Sequence, residues 1–265
     1  MDPVSIDGYV IESVLGTGGT GTVYLARHER VLVALKVLTA ECPAPLRHPH
    51  IAQVYEAGRL PDGRHWLAMQ YLAGGDADSE LRAGRMSPAR AVQIIADVAA
   101  ALDFAHDRDV VHGDVKPSNF LLAEDGRAVL TDFCTSPFER EGMVLTSAAF
   151  ASPEMLRGGP VDARADVYSL GCSLFRLLTG KPPFFDAGSK DEVVQAHLHR
   201  EPPRPTQFAP WLPSAMDDVV ATALCKDPGG RYPSAGELAR AATAALHVKA
   251  PPAHAFPRTH PPPRQ

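Results

Sequence analysis

Cysteine is scarce in this chain. The four present among 265 residues, Cys42, Cys134, Cys172 and Cys225, stand far apart with no Cys-x-x-Cys pair. That spacing suits free thiols in a reducing compartment better than a disulfide framework or a zinc site. Basic charge is not in excess either. Lys and Arg number 26 against 31 Asp and Glu, a net charge of −5, so no global field draws nucleic acid or anionic lipid. No run approaches the ~18 uninterrupted apolar residues of a membrane span. The start, MDPVSIDGYV, lacks the basic and apolar regions of a signal peptide. These absences lead to the expectation of a soluble, cytoplasmic protein with no nucleic-acid partner and no membrane span. The remainder is ordinary globular material: 45% hydrophobic and 22% charged residues can bury a core in one large domain or two modest ones. A wholly disordered chain, collagen and a coiled-coil rod are excluded.

Three regimes succeed one another along the chain. From residue 9 to about 75, short runs rich in β-branched and aromatic residues (Tyr9–Leu15, Thr22–Ala26, Val31–Val37, Ile51–Tyr55 and Trp66–Tyr71) are punctuated by Gly, Pro and charged turns, which predicts an antiparallel sheet. From about residue 87 the period changes. Ser87 with Pro88 behind it is a helix start, and Val92, Ile95, Val98, Ala99, Leu102 and Ala105 repeat at helical spacing up to about His106. Further helical patterns cover roughly 164–179, 189–199, 214–225 and 234–247. Between them, 110–160 is irregular, with two short apolar runs around Phe120–Leu122 and Ala128–Leu130 and a hairpin turn at Asp125-Gly126. The segment from Pro251 is proline-rich with few apolar anchors and is expected to be disordered or polyproline.

Three motifs carry chemistry. Gly16-x-Gly18-x-x-Gly21 alone is weak, since unrelated nucleotide folds share it. Its continuation, Thr22-Val-Tyr-Leu-Ala and then Val31-Leu-Val-Ala-Leu-Lys-Val, reads strand, turn, strand rather than the helix of a dinucleotide fold. A glycine-rich hairpin can approach phosphates with its backbone N–H groups. Lys36 lies on an otherwise apolar strand fifteen residues past Gly21, pointing to the polar face and whatever the loop covers. Last come His112-Gly-Asp-Val-Lys-Pro-Ser-Asn119 and Leu130-Thr-Asp-Phe133. Asn119 and Asp132 offer hard oxygen ligands suited to Mg²⁺, and Asp114 is left to orient and deprotonate an incoming hydroxyl. His48, His50, His197 and His199 fall in separate segments and read as surface or turn residues rather than metal ligands.

Over about residues 9–247 the ordered set (glycine loop, Val33-Ala-Leu-Lys36, His-Gly-Asp-x-Lys-Pro-x-Asn, Asp-Phe-Cys, Ser152-Pro-Glu154, Asp166-Val-Tyr-Ser-Leu-Gly171 and Arg231) resembles the protein kinases, in particular bacterial serine/threonine kinases of eukaryotic type. The resemblance implies a bilobal α+β fold, with a small antiparallel β N-lobe over 1–72, a larger mainly α-helical C-lobe over 73–247 and a proline-rich tail over 248–265. It implies ATP and Mg²⁺ as cofactors and serine or threonine hydroxyls of proteins as acceptors. Leu15, Gly16, Gly18, Gly21, Val23 and Ala34 would enclose the nucleotide, and Lys36 would hold its α/β-phosphates. Met69 to Leu72 would form the adenine-facing hinge. Asp114 would be the catalytic base and Lys116 would steady the γ-phosphate, while Asn119 and Asp132 would hold the metal. Asp166 would brace the catalytic loop from a buried helix, and Glu154 would bridge to Arg231. Relatives often continue through a proline-rich linker to a membrane span and an external sensor, and the segment from Pro251 resembles such a linker.

The sequence departs from the pattern at three places. Between Lys36 and His48 only eleven residues, two of them proline, stand where the family has a helix bearing a glutamate that pairs with the lysine. Glu41 is the one carboxylate there, and a second copy or another protein at the N-lobe could replace the missing helix. Gly113 replaces the arginine that receives an activation-loop phosphate, so activity is expected not to need phosphorylation of Thr135, Ser136, Thr146 or Ser147. Cys134 replaces the glycine after Asp132-Phe133. The alternatives are a pseudokinase scaffold, favoured by the shortened helix, and a small-molecule phosphotransferase, which leaves Lys116 and Ser152-Pro-Glu154 unexplained.

Overall fold

A computed structural model describes residues 5–18, 21–38, 46–133 and 148–247. Glu41, Cys42, Cys134, Thr135, Ser136, Thr146, Ser147 and the segment from 248 lie outside the described residues. Strands β1 (Ser5–Ile6), β2 (Tyr9–Gly18), β3 (Gly21–His28), β4 (Val31–Leu38), β5 (Val54–Arg59) and β6 (His65–Gln70) form one antiparallel sheet ordered β1-β2-β3-β4-β6-β5. Side chains alternate across a strand, so β4 is sorted between two cores. Val33, Leu35 and Val37 join Tyr9, Ala26, Trp66 and Ala68 on one face. Ala34 and Leu38 join Leu67 and Met69 on the other, with Val23 and Val54 packed alongside.

The second half is helical. Helix α1 (Ala77–Arg82) precedes α2 (Pro88–His106), a hairpin of β7 (Phe120–Leu122) and β8 (Ala128–Leu130), then α3 (Pro153–Leu156), α4 (Ala163–Thr179), α5 (Lys190–His199), α6 (Ala215–Ala223) and α7 (Ala235–His247). Helix α2 starts as expected: the Ser87 hydroxyl accepts from the Arg90 amide, and Pro88 occupies the first turn, where its missing N–H costs nothing. Helix α4 has Asp162 capping its start and Gly180, at φ 78°, ending it. Ile94, Ile95, Val98 and Leu102 of α2 share one core with Leu170, Leu174 and Phe175 of α4 and with Leu238 and Ala242 of α7. This all-apolar packing fixes α2 and α4, the two helices against which the loop from His112 to Asn119 is anchored.

Two expectations need correction. The run Ile51–Tyr55 is not a strand: β5 begins at Val54, and Ile51 forms a single parallel bridge with Leu130. The Ala52 amide donates to the Leu130 carbonyl (2.9 Å) and the Leu130 amide to the His50 carbonyl (2.8 Å), so this stretch ties the sheet to the β7–β8 hairpin. His197 is not a surface residue. It is fully buried at 0% exposure, its ring edge-on to Phe184. Helix α1 has no apolar period to announce it; Asp76 starts it by accepting from the Ser79 amide.

Candidate active site

The β7–β8 hairpin sets the chemistry. Phe120 pairs with Leu130 and Leu122 with Ala128, and the loop between them turns at Gly126 in the left-handed region (φ 85°). The residues just outside the first pair are Asn119 and Thr131, so the Thr131 amide donates to the Asn119 carbonyl (3.1 Å) and Asp132 comes next in the chain. A five-residue loop thereby brings together two groups thirteen positions apart in the chain. Phe133 packs edge-on against His112, and Asp132 adopts φ 71°, a left-handed backbone that only surrounding contacts can hold in a non-glycine residue.

The loop before the hairpin is anchored from beneath. Asp166 of α4 is fully buried, and its carboxylate accepts from the backbone amides of His112 (2.8 Å) and Gly113 (2.8 Å). It also contacts His106 Nε2 at 2.7 Å, at the end of α2. His112 Nδ1 accepts from the Asp114 amide (3.1 Å), which leaves the proton on Nε2 to be donated to the Thr131 carbonyl (2.8 Å). Gly113 sits at φ 73°, where the absence of a Cβ removes the steric cost of the turn. Asp114 is thus presented on a loop whose amides from His112 to Asp114 are each satisfied. Its Oδ2 meets Lys116 Nζ at 2.8 Å, and the Asn119 amide nitrogen donates to the Asp114 carbonyl (2.8 Å). With its nitrogen so used, Asn119 has Oδ1 as the atom able to ligate a cation.

Across the cleft Lys36 shares its face of β4 with Ala34 and Leu38. That face is apolar, not polar as the sequence suggests, and Lys36 is 2% exposed. A buried ammonium needs a partner, and Asp132 Oδ1 supplies it at 2.7 Å. Val23, Ala34 and Met69 fall in one apolar cluster beside it, Ala34 opposite Met69 in register and Val23 opposite Lys36. Thr131 Oγ1 lies 3.9 Å from Met69 Sδ, which joins this apolar wall to the hairpin. Leu15, Gly16 and Gly18 are exposed at the end of β2, Gly21 opens β3, and Leu72 is half-buried just past β6. The structure therefore brings Lys36, Asp132, Asn119, Asp114 and Lys116 together through one run of contacts, with the strands of the glycine hairpin lying beside β4 in the sheet.

Beyond the cleft, Glu154 of α3 forms a bidentate pair with the 4%-exposed Arg231 (2.6 and 2.8 Å). Burial pushes the Glu154 carboxyl up, but hydrogen bonds from Arg231 and its charge outweigh this and hold it below the ordinary glutamate value. Sequence reasoning missed His106 and Tyr168. The first is a helix-end histidine, the second one of two aromatics in α4, and neither residue type by itself signals its contacts. Among the described residues no group of three or more His, Cys, Asp or Glu side chains could hold a metal alone. The donor set at Asn119 and Asp132 instead fits a hard cation that takes its remaining ligands from water and phosphate. None of the described helices is long and apolar enough to cross a membrane.

The profile of the protein kinase domain matches residues 9–242. Serine/threonine-protein kinase PknJ of Mycobacterium tuberculosis is 47% identical over 269 aligned positions, covering 91% of this chain and 46% of that protein. PknH from the same species is 38% identical, covering 90% of this chain and 42% of the relative, and PknF is also 38% identical, covering 88% and 55%. The chain thus spans about half the length of these relatives.

Proposed function

As the chain belongs to the protein kinase domain family, we propose that it transfers the γ-phosphoryl group of ATP to serine or threonine hydroxyls of proteins. The observation that carries this is the 2.7 Å contact of Lys36 with Asp132 across the cleft, which puts the amine, the metal-side carboxylate and the hairpin bearing Asn119 at one place. In this reading Leu15, Gly16, Gly18, Gly21, Val23, Ala34, Met69 and Leu72 enclose the nucleotide. Lys36 neutralises phosphate charge, and Asn119 and Asp132 hold Mg²⁺, which would screen the transferring group. Asp114 accepts the hydroxyl proton while Lys116, 2.8 Å away, orients it and meets the γ-phosphate. Residues 1–72 and 73–247 are the two lobes. The case for a pseudokinase rests on Lys36 lacking a carboxylate to hold it, and Asp132 meets that need in the described residues.

The decisive experiment is label transfer from γ-labelled ATP with Mg²⁺ to a serine-containing acceptor protein. Asp114→Asn should lower the rate by about 10²–10⁴-fold. A variant as active as the wild type, or a wild type that binds ATP without transferring label, overturns the proposal. Because Gly113 offers no guanidinium to a loop phosphate, alanine at Thr135, Ser136, Thr146 and Ser147 together should leave turnover on a foreign peptide nearly unchanged. A loss of about a hundredfold, some 2.7 kcal/mol in the barrier, would show that a phosphate is needed after all.

A further inference from the structure

Away from the cleft, Lys226 is half-buried just past α6 and forms no ion pair among the described residues. Its Nζ donates to the Ala196 carbonyl of α5 (3.3 Å). It also lies 4.9 Å from the centroid of the Phe184 ring and 6.0 Å from that of Tyr168. Lys36 and Lys116 each meet a carboxylate, whereas the partners of Lys226 are a carbonyl and two ring faces. The phosphoryl-transfer chemistry makes no use of this amine.

Two effects oppose each other here. Ring faces attract an ammonium, and removal from water disfavours it. The second wins: burial pushes Lys226 down to about 8, against an ordinary 10.5. Cys172 of α4, Glu201, Arg231 and Cys225 lie close enough to act on it; the Glu201 carboxylate favours the ammonium and the Arg231 guanidinium disfavours it. Its charge also reaches His197 of α5, which burial and this neighbour together push down to about 4. A lysine desolvated beside a second cation is the setting in which an ε-amine becomes nucleophilic near neutral pH. The thiol next to it goes the other way. Cys172 is fully buried, and burial pushes it up, so it stays protonated and inert.

We propose that Lys226 is a modification site, taking an acyl group from an acyl phosphate or an acyl thioester. The unprotonated Nζ attacks the carboxyl carbon, and the C–O or C–S bond breaks. Phosphate or thiolate leaves with the electron pair, and the amine proton passes to water. The product is an amide, and no oxidant or reductant takes part. The carbonyls of Cys225 and Lys226 accept from Arg231 (2.8 and 3.2 Å), which grips Glu154, so acylation removes a charge beside that bridge. Nothing in this chemistry depends on phosphoryl transfer.

The test is peptide mapping of the full chain by mass spectrometry after timed exposure to acetyl phosphate or to acetyl-coenzyme A at a series of pH values. Exposed Lys190, the first residue of α5, is the internal reference. Near pH 7.5 the unprotonated fraction at Lys226 is on the order of a hundredfold above that of an ordinary lysine, and its lower basicity offsets part of this. Lys226 should therefore be acetylated about tenfold faster than Lys190. Its rate should level off above about pH 8, whereas that of Lys190 keeps rising toward about 10. In urea the two lysines should react alike, and Lys226→Arg should lose this label and no other. Faster labelling of Lys226 by either donor supports the site, and the quicker donor identifies the source. Equal rates in the folded chain, a Lys226 rate with no plateau, or a preference that survives unfolding overturns the inference.

Discussion

The two walls of the cleft are built on opposite plans. The loop carrying Asp114 rests on a fully buried carboxylate, and its histidine and its amides are each tied to α4 or to the β7–β8 hairpin. The glycine hairpin facing it is exposed from Glu12 to Gly18 and has nothing within 4 Å of where a side chain at Gly16 or Gly18 would begin. In the proposed function one wall fixes the group that would accept the proton, where rigidity costs nothing in substrate entry. The other, in the same proposal, would admit and release the nucleotide, so its freedom would be useful. Among the described residues, the backbone amides held by a fully buried carboxylate lie on the Asp114 side.

That contrast can be broken by mutation. The largest effect is expected at Asp166→Ala, which strands two backbone amides and His106 in a dry interior. Urea unfolding should show a loss of about 3–5 kcal/mol, and a loss below about 1 would mean the loop is not held from beneath. Acid should loosen the helical half next. His197 titrates near 4 when folded against an ordinary 6.5, so the unfolded chain takes up a proton in that window that the folded one refuses. Its contribution is whole above pH 6.5 and drains away as the pH falls toward 4, by up to about 3 kcal/mol. Stability curves of wild type and His197→Gln should accordingly converge on acidification; parallel curves would refute this. A smaller loss, about 2 kcal/mol, is expected for Gly21→Ala, because a Cβ there would lie 1.9 Å from the Val37 carbonyl oxygen and φ is 138°. Gly16→Ala, five positions earlier in open space, should change the melting temperature almost not at all, within about 0.5 kcal/mol. Equal effects at the two glycines would erase the difference between anchored and open parts of the hairpin.

Much of this is legible from residues in order. Ser87-Pro88 and the apolar spacing behind it place α2 to within a residue, because capping and periodicity are local properties. The runs Phe120–Leu122 and Ala128–Leu130 coincide with β7 and β8 at the same limits, and the groups flanking them meet as the motif spacing implies. The features that escape depend on partners distant in sequence. β-Branching alone marks Ile51 as strand, yet its backbone is claimed by Leu130, 79 positions on. A charge usually marks a polar face, whereas at Lys36 a single distant carboxylate suffices to bury it. His197 looks like a surface residue in a polar helix, and only Tyr168 and Phe184, from other parts of the chain, make it internal.

The lone bridge between Ile51 and Leu130 has a mechanical corollary. Leu130 is two positions from Asp132, and the same rung is continuous with the sheet that carries Lys36. Thr131, between Leu130 and Asp132, is bonded to both Asn119 and His112, so the carboxylate is held with the Asp114 loop while the amine belongs to the sheet. Movement of the sheet about this rung would therefore be felt first at the Lys36–Asp132 contact, which spans the two parts.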